Sequence, residues 1–271
     1  MIKIKVFCFS FCNAIFTFFL AGETRTPAIF GNNMVLQQNH KNPIWGWDNP
    51  GQSVEVLISG QSHISKADKD GYWKISLDPI KASFDSATMT IKGSSLLKYT
   101  NILVGEVWIC SGQSNMEWHV RQCANPQEEI AKANYSKIRL FDVPGHTVHP
   151  LPQREGKGSW QVCSSDSVAK FSATGYYFGR RIHLSLGVPV GLIGSNWGGT
   201  RIEPWTTLAG FKSVPELSEQ AKNVAAYTKD TKVKGGTPSA IYNSMVHPLT
   251  PYALRGAIWY QGESNGNEGI T

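Results

Sequence analysis

Two rhythms of apolar and polar positions divide the chain near residue 100. Between residues 23 and 100, short alternating segments at 54–59, 73–77 and 88–92 are separated by turn residues. Period-two alternation predicts strands with one buried face. Asp48-Asn49-Pro50-Gly51 and Asp70-Gly71 supply the turns, because Gly and Asn tolerate positive φ and Pro presets its own. Successive short strands with no helix between them predict a small antiparallel β-sandwich-like module over 23–100, suited to packing or binding. Trp45 and Trp47 fit either a sugar platform or core and inter-domain packing; large aromatics dominate burial in small β domains, which favours packing.

Beyond residue 100 an apolar strand, a Gly-rich polar loop and a helix-compatible stretch recur, the pattern of an α/β fold with a parallel sheet and helices on both faces. Residues 173–186 predict a helix with Phe178, Ile182 and Leu186 on one face, Gly187 as its stop and Pro189 just beyond. Three strand candidates, 102–110, 188–193 and 255–259, end in the polar loops 111–114, 194–199 and 261–265. Loops at the carboxyl ends of parallel strands converge on one crevice. These three are therefore expected to share a site.

Composition narrows the class. With 271 residues, 41% hydrophobic and 17% charged, the chain can bury one large domain or two unequal ones. Lys3 and Lys5, the apolar run 6–20 and the small residues Ala21 and Gly22 predict a cleavable secretory leader over 1–22. A run of that length is short for a membrane span, so no stable membrane association is expected once the leader is removed. The remainder carries 24 basic and 20 acidic residues, with no basic run dense enough for nucleic acid. Cys110, Cys123 and Cys163 then form an odd set in an oxidising compartment: one thiol stays free and buried, or its partner lies in other sequence. The sequon Asn134-Tyr135-Ser136 offers Asn134 for glycosylation on a surface loop. No His or Cys pair has metal-ligand spacing, so neither metal nor cofactor is expected.

The chemistry concentrates at Ser111-Gly112-Gln113-Ser114-Asn115. A serine hydroxyl is a poor nucleophile until a base removes its proton, so it must be held exposed at a tight turn. Gly112 permits such a turn, and the helix opening at Asn115 can point N–H groups at a developing oxyanion. Gly-Gln-Ser-Asn alone reads equally as a helix cap.

The longer stretch 104–118, with Gly191-Leu192-Ile193-Gly194-Ser195-Asn196-Trp197-Gly198-Gly199-Thr200-Arg201 and Trp259-Tyr260-Gln261-Gly262-Glu263-Ser264-Asn265 in the same order, resembles the sialate O-acetylesterases, a branch of the SGNH-type serine hydrolases. Residues 30–37 and 242–249 are also similar to that family, so the resemblance spans nearly the whole chain after the leader. It implies an SGNH-like esterase domain over 101–271, with Ser114 as the nucleophile on an acetyl ester of a sialic acid or sialoglycan, in a secreted or lysosomal setting. It further implies an oxyanion hole built from the Ser114 N–H, Gly198 or Gly199, and a side-chain amide, Gln261 or alternatively Asn265. Gln113, Asn115, Asn196, Arg201, Asn243 and Glu263 are candidates to line the site. Glu263 reads as a general base or, preferably, as a buried carboxylate that orients its loop.

In this family the base is a histidine close behind an aspartate, well past the Gln-Gly-Glu motif. No Asp-X-X-His block follows Asn265, so the esterase domain is expected to be incomplete in this chain, and the chain by itself nearly inactive. Related blocks also serve acetylesters of neutral polysaccharides such as xylan, and a noncatalytic carbohydrate-binding remnant is a further reading.

Overall fold

Inward-facing alternation organises the amino-terminal part. In the computed structural model, which describes residues 22–266, strands β1 (Val35–Gln37), β2 (Asn42–Trp47), β3 (Ser53–Ile58), β4 (Gln61–Lys66), β5 (Tyr72–Leu77) and β6 (Ser83–Lys92) precede the long β7 (Leu96–Gly112). β4, β3, β6 and the first half of β7 form an antiparallel run, while β2 pairs with β5 in a separate two-stranded sheet. Val54, Val56 and Ile58 on β3 meet Trp45, Trp73, Ile75 and Leu77 in one core. Trp45 packs edge-on against Phe30 at 4.6 Å, and the Arg25 guanidinium lies 4.3 Å above the Trp47 ring. Both tryptophans serve packing. Residues 1–21 of the expected leader lie outside the described residues; Gly22 is tied to Asn49 and Ser94 by hydrogen bonds.

After β7 come helices α1 (Ser114–Glu117) and α2 (Pro126–Lys132), strands β8 (Tyr135–Asp142) and β9 (Trp160–Cys163), helices α3 (Ser165–Val168) and α4 (Ala173–Leu186), strand β10 (Val190–Asn196), helices α5 (Leu208–Lys212) and α6 (Ser218–Ala225), and strand β11 (Gly256–Tyr260). The sheet order is β9-β8-β10-β7-β11, with β8, β10, β7 and β11 parallel and β9 antiparallel at the edge. The fold is thus α/β with a mostly parallel sheet, next to an antiparallel β part. β7 runs without interruption through residue 100, where the sequence rhythm changes, and its first half belongs to one part and its second half to the other.

Successive residues of a strand point to opposite faces, and the two faces of β7 meet different cores. Val107 and Ile109 join Phe141, Ile193, Ile241 and Met245 in the core continuous with the β part, while Cys110 joins Leu140, Leu192 and Tyr176 beneath α4. α4 has the expected bounds, with Ser172 capping it through the Gly175 N–H and Gly187 ending it at φ 62°. Its buried face differs from the one expected. Ala173, Gly175, Tyr176 and Gly179 meet the sheet, Phe178 and Ile182 are half-buried, and Leu186 is 57% exposed. Small residues let the helix axis approach the sheet closely. That displaces the Phe178 ridge to the flank, where its ring meets Trp108 edge-on at 5.0 Å.

β8 was not expected from the sequence. Arg139 sits in its middle, 2% exposed, and donates to the carbonyls of Ser136, Asn33 and Asn101 and to the side-chain oxygens of both asparagines. Asn33 and Asn101 both have positive φ, so one guanidinium holds two left-handed turns of the β part against the α/β sheet. Cys110, Cys123 and Cys163 are all unpaired. Burial pushes the Cys163 thiol up to about 11 and raises Cys110 as well, so these two thiols are inert at neutral pH. Asn134 is exposed at the turn before β8.

Replacing Arg139 with Met leaves several carbonyls at this junction without a donor. The expected result is a loss of about 2–3 kcal/mol in unfolding free energy, measured by urea titration; a loss under about 0.5 kcal/mol contradicts the latch.

Candidate active site

The turn that carries Ser114 is made by backbone. β11 extends its pairing with β7 by one further bond, Gln113 N–H to the Tyr260 carbonyl at 2.9 Å. At Gly112 the chain takes φ 140°, and a Cβ there would lie 2.1 Å from the Tyr260 oxygen, so only glycine lets the two strands stay paired to their ends. Met116 and Glu117 then donate to the Gln113 carbonyl, and the chain turns into α1 with Ser114 exposed at its first position. No described residue hydrogen-bonds the Ser114 hydroxyl or its N–H.

Side-chain amides lock the third loop to this turn. Gln113, 2% exposed, accepts from Gln261 Nε2 at 3.3 Å and from the Ser264 N–H at 3.4 Å. Gln261 Nε2 also donates to the Thr200 carbonyl and to Asn265 Oδ1. Asn265 in turn accepts from the Ile202 N–H and donates to Glu203. Asn115 Nδ2 donates to Glu263. Glu263 holds the Asn115 amide from an exposed position, where a buried carboxylate was expected.

The second loop reaches the serine from β10. Trp197 N–H donates to the Gly112 carbonyl at 3.0 Å, which carries the chain past the nucleophile turn. A Cβ on Gly198 would stand 3.5 Å from the Ser114 Cβ, so the glycine pair borders the serine directly. Gly198 N–H, however, donates to Glu117 Oε2 at 2.6 Å. Gly199 follows at φ 72°, with no acceptor for its N–H among the described residues. Of the two expected oxyanion donors, Gly199 has its N–H available and Gly198 does not.

On the β8 side the loop after Asp142 closes a polar cleft of about 160 Å³ lined by Glu117, His119, Asp142, His146, Lys170 and Asn196 among others. His146, at φ 43°, places Nε2 2.6 Å from Glu117 Oε1 and stacks on Trp197 with ring centroids 4.7 Å apart and planes 4° apart. Asp142 is exposed in this cleft, with its Oδ1 2.6 Å from where a Cβ on Gly194 would stand. Burial first, then the charge of Glu117, push its carboxyl up to about 6 against the opposing effect of His146. Burial, then Arg121, hold His119 below its ordinary value. No described histidine bonds Ser114. Among the described residues no group of His, Cys, Asp and Glu could hold a metal ion, and no helix is long and apolar enough to cross a membrane.

Residues 104–269 match the family model described as carbohydrate esterase, sialic acid-specific acetylesterase. The chain belongs to that family. The human sialate O-acetylesterase is 33% identical over 263 residues, covering 90% of this chain and 49% of that protein, and the mouse enzyme is 31% identical, covering 90% and 52%. A crystal structure of a carbohydrate acetylesterase from Xanthomonas citri superposes with a TM-score of 0.79 at 31% identity, over 91% of this chain and 53% of that one. The chain thus spans about half the length of the curated relatives it matches.

Within this acetylesterase-family chain, the structure brings Ser114, Gln113, Asn115, Asn196, Gly198, Gly199, Gln261, Glu263 and Asn265 to one end of the sheet. Arg201 is exposed on the same loop as the glycine pair. Two expectations are corrected. The amides of Gln261 and Asn265 are committed to neighbouring loops, so neither stands as a free third oxyanion donor. Asn243, 3% exposed, donates to the carbonyls of His149 and Pro150 and pins that loop instead of lining the cleft. Asp142, His146 and Glu117 were missed as site residues. Asp142 and His146 follow the unrecognised β8, and Glu117 was read only as the start of a helix.

Two outcomes follow from this geometry. Gly112→Ala forces a shift of the β7–β11 backbone pairing beside Ser114, and thermal unfolding should show a loss of about 2 kcal/mol or more; an unchanged midpoint contradicts the close approach. Asp142 binds its proton more tightly folded than unfolded, so its contribution is full below about pH 4 and is lost as pH rises through about 6. Relative to Asp142→Asn, the unaltered protein should therefore lose stability between pH 4 and 6.5 in denaturant titrations, and parallel pH profiles would contradict the raised pKa.

Proposed function

We propose that this chain carries the nucleophile half of a sialate O-acetylesterase site, acting in the secretory pathway on O-acetyl groups of sialic acids. The observation that carries the reading is Ser114, exposed on a one-turn helix at the carboxyl end of the parallel sheet, with the Gly198-Gly199 loop against it. The Ser114 oxygen attacks the acetyl carbonyl while a base takes its proton, and the tetrahedral oxyanion is received by the N–H groups of Ser114 and Gly199. The sugar alcohol leaves with a proton, and water then attacks the acetyl-serine, releasing acetate and restoring Ser114. His146, the histidine bonded to Glu117, engages it through Nε2 and lies flat on Trp197. It is built as a wall of the cleft, and the base for Ser114 belongs to the family's Asp-X-X-His block.

A second substrate class has support in the Xanthomonas citri neighbour, whose description is the broader carbohydrate acetylesterase. The cleft's mixture of Glu117, Asp142 and Lys170 does not by itself favour an anionic sugar, so acetylated xylan is the comparison substrate.

Acetate release from O-acetylated sialic acid and from acetylated xylan should be measured with the 271-residue chain and with any longer form that carries it. The expected result is release from the sialic acid substrate, falling by about 10⁴-fold or more in Ser114→Ala. Equal activity in Ser114→Ala overturns the serine mechanism, and faster release from xylan overturns the sialate assignment.

A further inference from the structure

We propose that Glu117 is a positioning residue for the oxyanion loop, with His146 as its brace; this rests on the serine-esterase reading above. The contacts form a closed circuit. Ser114 and Glu117 share one helical turn, and Glu117 Oε2 accepts the Gly198 N–H at 2.6 Å. Glu117 Oε1 meets His146 Nε2 at 2.6 Å, the His146 ring lies on Trp197, and the Trp197 N–H returns to the Gly112 carbonyl two residues before Ser114. Beyond the β7–β10 pairing, Glu117 and Trp197 thus tie the Ser114 turn to the glycine loop directly.

Three features separate this role from general acid–base work. Both carboxylate oxygens are engaged, one by a backbone N–H and one by an imidazole, so neither is directed at the Ser114 hydroxyl. The Gly198 N–H is taken up by Glu117, which leaves the next peptide, Gly199 at φ 72°, as the one of the glycine pair whose N–H has no acceptor among the described residues. His146 itself adopts φ 43°, a conformation few non-glycine residues take, and such strain persists where the surroundings over-determine it. A carboxylate or an amide oxygen can accept this N–H, and catalysis by an oxyanion hole requires donors fixed in advance. The carboxylate therefore fixes where Gly199 sits relative to Ser114.

The role predicts that an acceptor at residue 117 matters more than its charge. Amide hydrogen exchange followed by NMR on the 271-residue chain reads this without activity. The Gly198 amide should be protected in the unaltered protein and in Glu117→Gln, and exchange at least about tenfold faster in Glu117→Ala, with the Gly199 and Ser114 resonances shifting too. In the full-length protein, Glu117→Ala should lower kcat on an acetyl ester by about 10²-fold with KM changed less than about threefold, and Glu117→Gln should recover most of it. His146→Ala, at an exposed ring, carries the test where Glu117→Ala does not fold; it should speed Gly198 exchange and lower kcat by about tenfold. Unchanged Gly198 exchange in both variants overturns the proposal, as does a Glu117→Gln enzyme as impaired as Glu117→Ala. Ser114→Ala separates the readings: if it stays active, the serine mechanism fails while the exchange result stands on its own.

Discussion

Strand β7 must satisfy two sheets at once. Its first half completes the antiparallel run with β6, and its second half lies between β10 and β11 in the parallel sheet. Because side chains alternate, Val107 and Ile109 feed the core shared with the β part, while Cys110 feeds the core under α4. Its carboxyl end carries Gly112, Gln113 and Ser114, so the position of Ser114 is set by the packing of both halves. The Arg139 latch at Asn33 and Asn101 belongs to the same constraint, since it fixes how the two parts meet.

At that end the site is assembled chiefly from backbone and amide hydrogen bonds. The Gly112 and Gln113 backbone takes the Trp197 N–H from one side and the Tyr260 carbonyl from the other. Gln113, buried below, gathers the Gln261 and Ser264 donors. This leaves Ser114 raised above a locked floor, with Gly198 against it and a polar cleft opening toward Asp142. Charge enters on the β8 side, where Glu117, His146 and Asp142 lie together and burial plus the neighbouring Glu117 raise Asp142 to about 6.

Much of this was legible in the residues. The three strands that end at 112, 196 and 260 are apolar runs closed by Gly-rich polar loops, and their convergence follows from parallel pairing. Ser114 stands out only when the longer stretch 104–118 is read, because Gly-Gln-Ser-Asn alone fits a helix cap equally well. What stayed hidden has physical causes. β8 is broken in pattern by Lys137 and Arg139, and a buried arginine satisfied wholly by carbonyls leaves no partner charge in the sequence to announce it. With β8 unseen, Asp142 and His146 had no place in the site. The choice between Gly198 and Gly199 stayed open, because which of them has its N–H available depends on Glu117 reaching across from α1. Asn243 matched the family block, yet its amide serves the 149–150 carbonyls, a distinction that only three-dimensional contacts make.

The account rests on Ser114 forming a covalent acetyl intermediate. Rapid quenching of an active form of the protein during turnover of an acetyl ester, followed by peptide mass spectrometry, reads this directly. One acetyl group on the peptide containing Ser114, absent from Ser114→Ala, is the predicted result. Steady turnover with no acetylated peptide, or with the acetyl group on another residue, would contradict it.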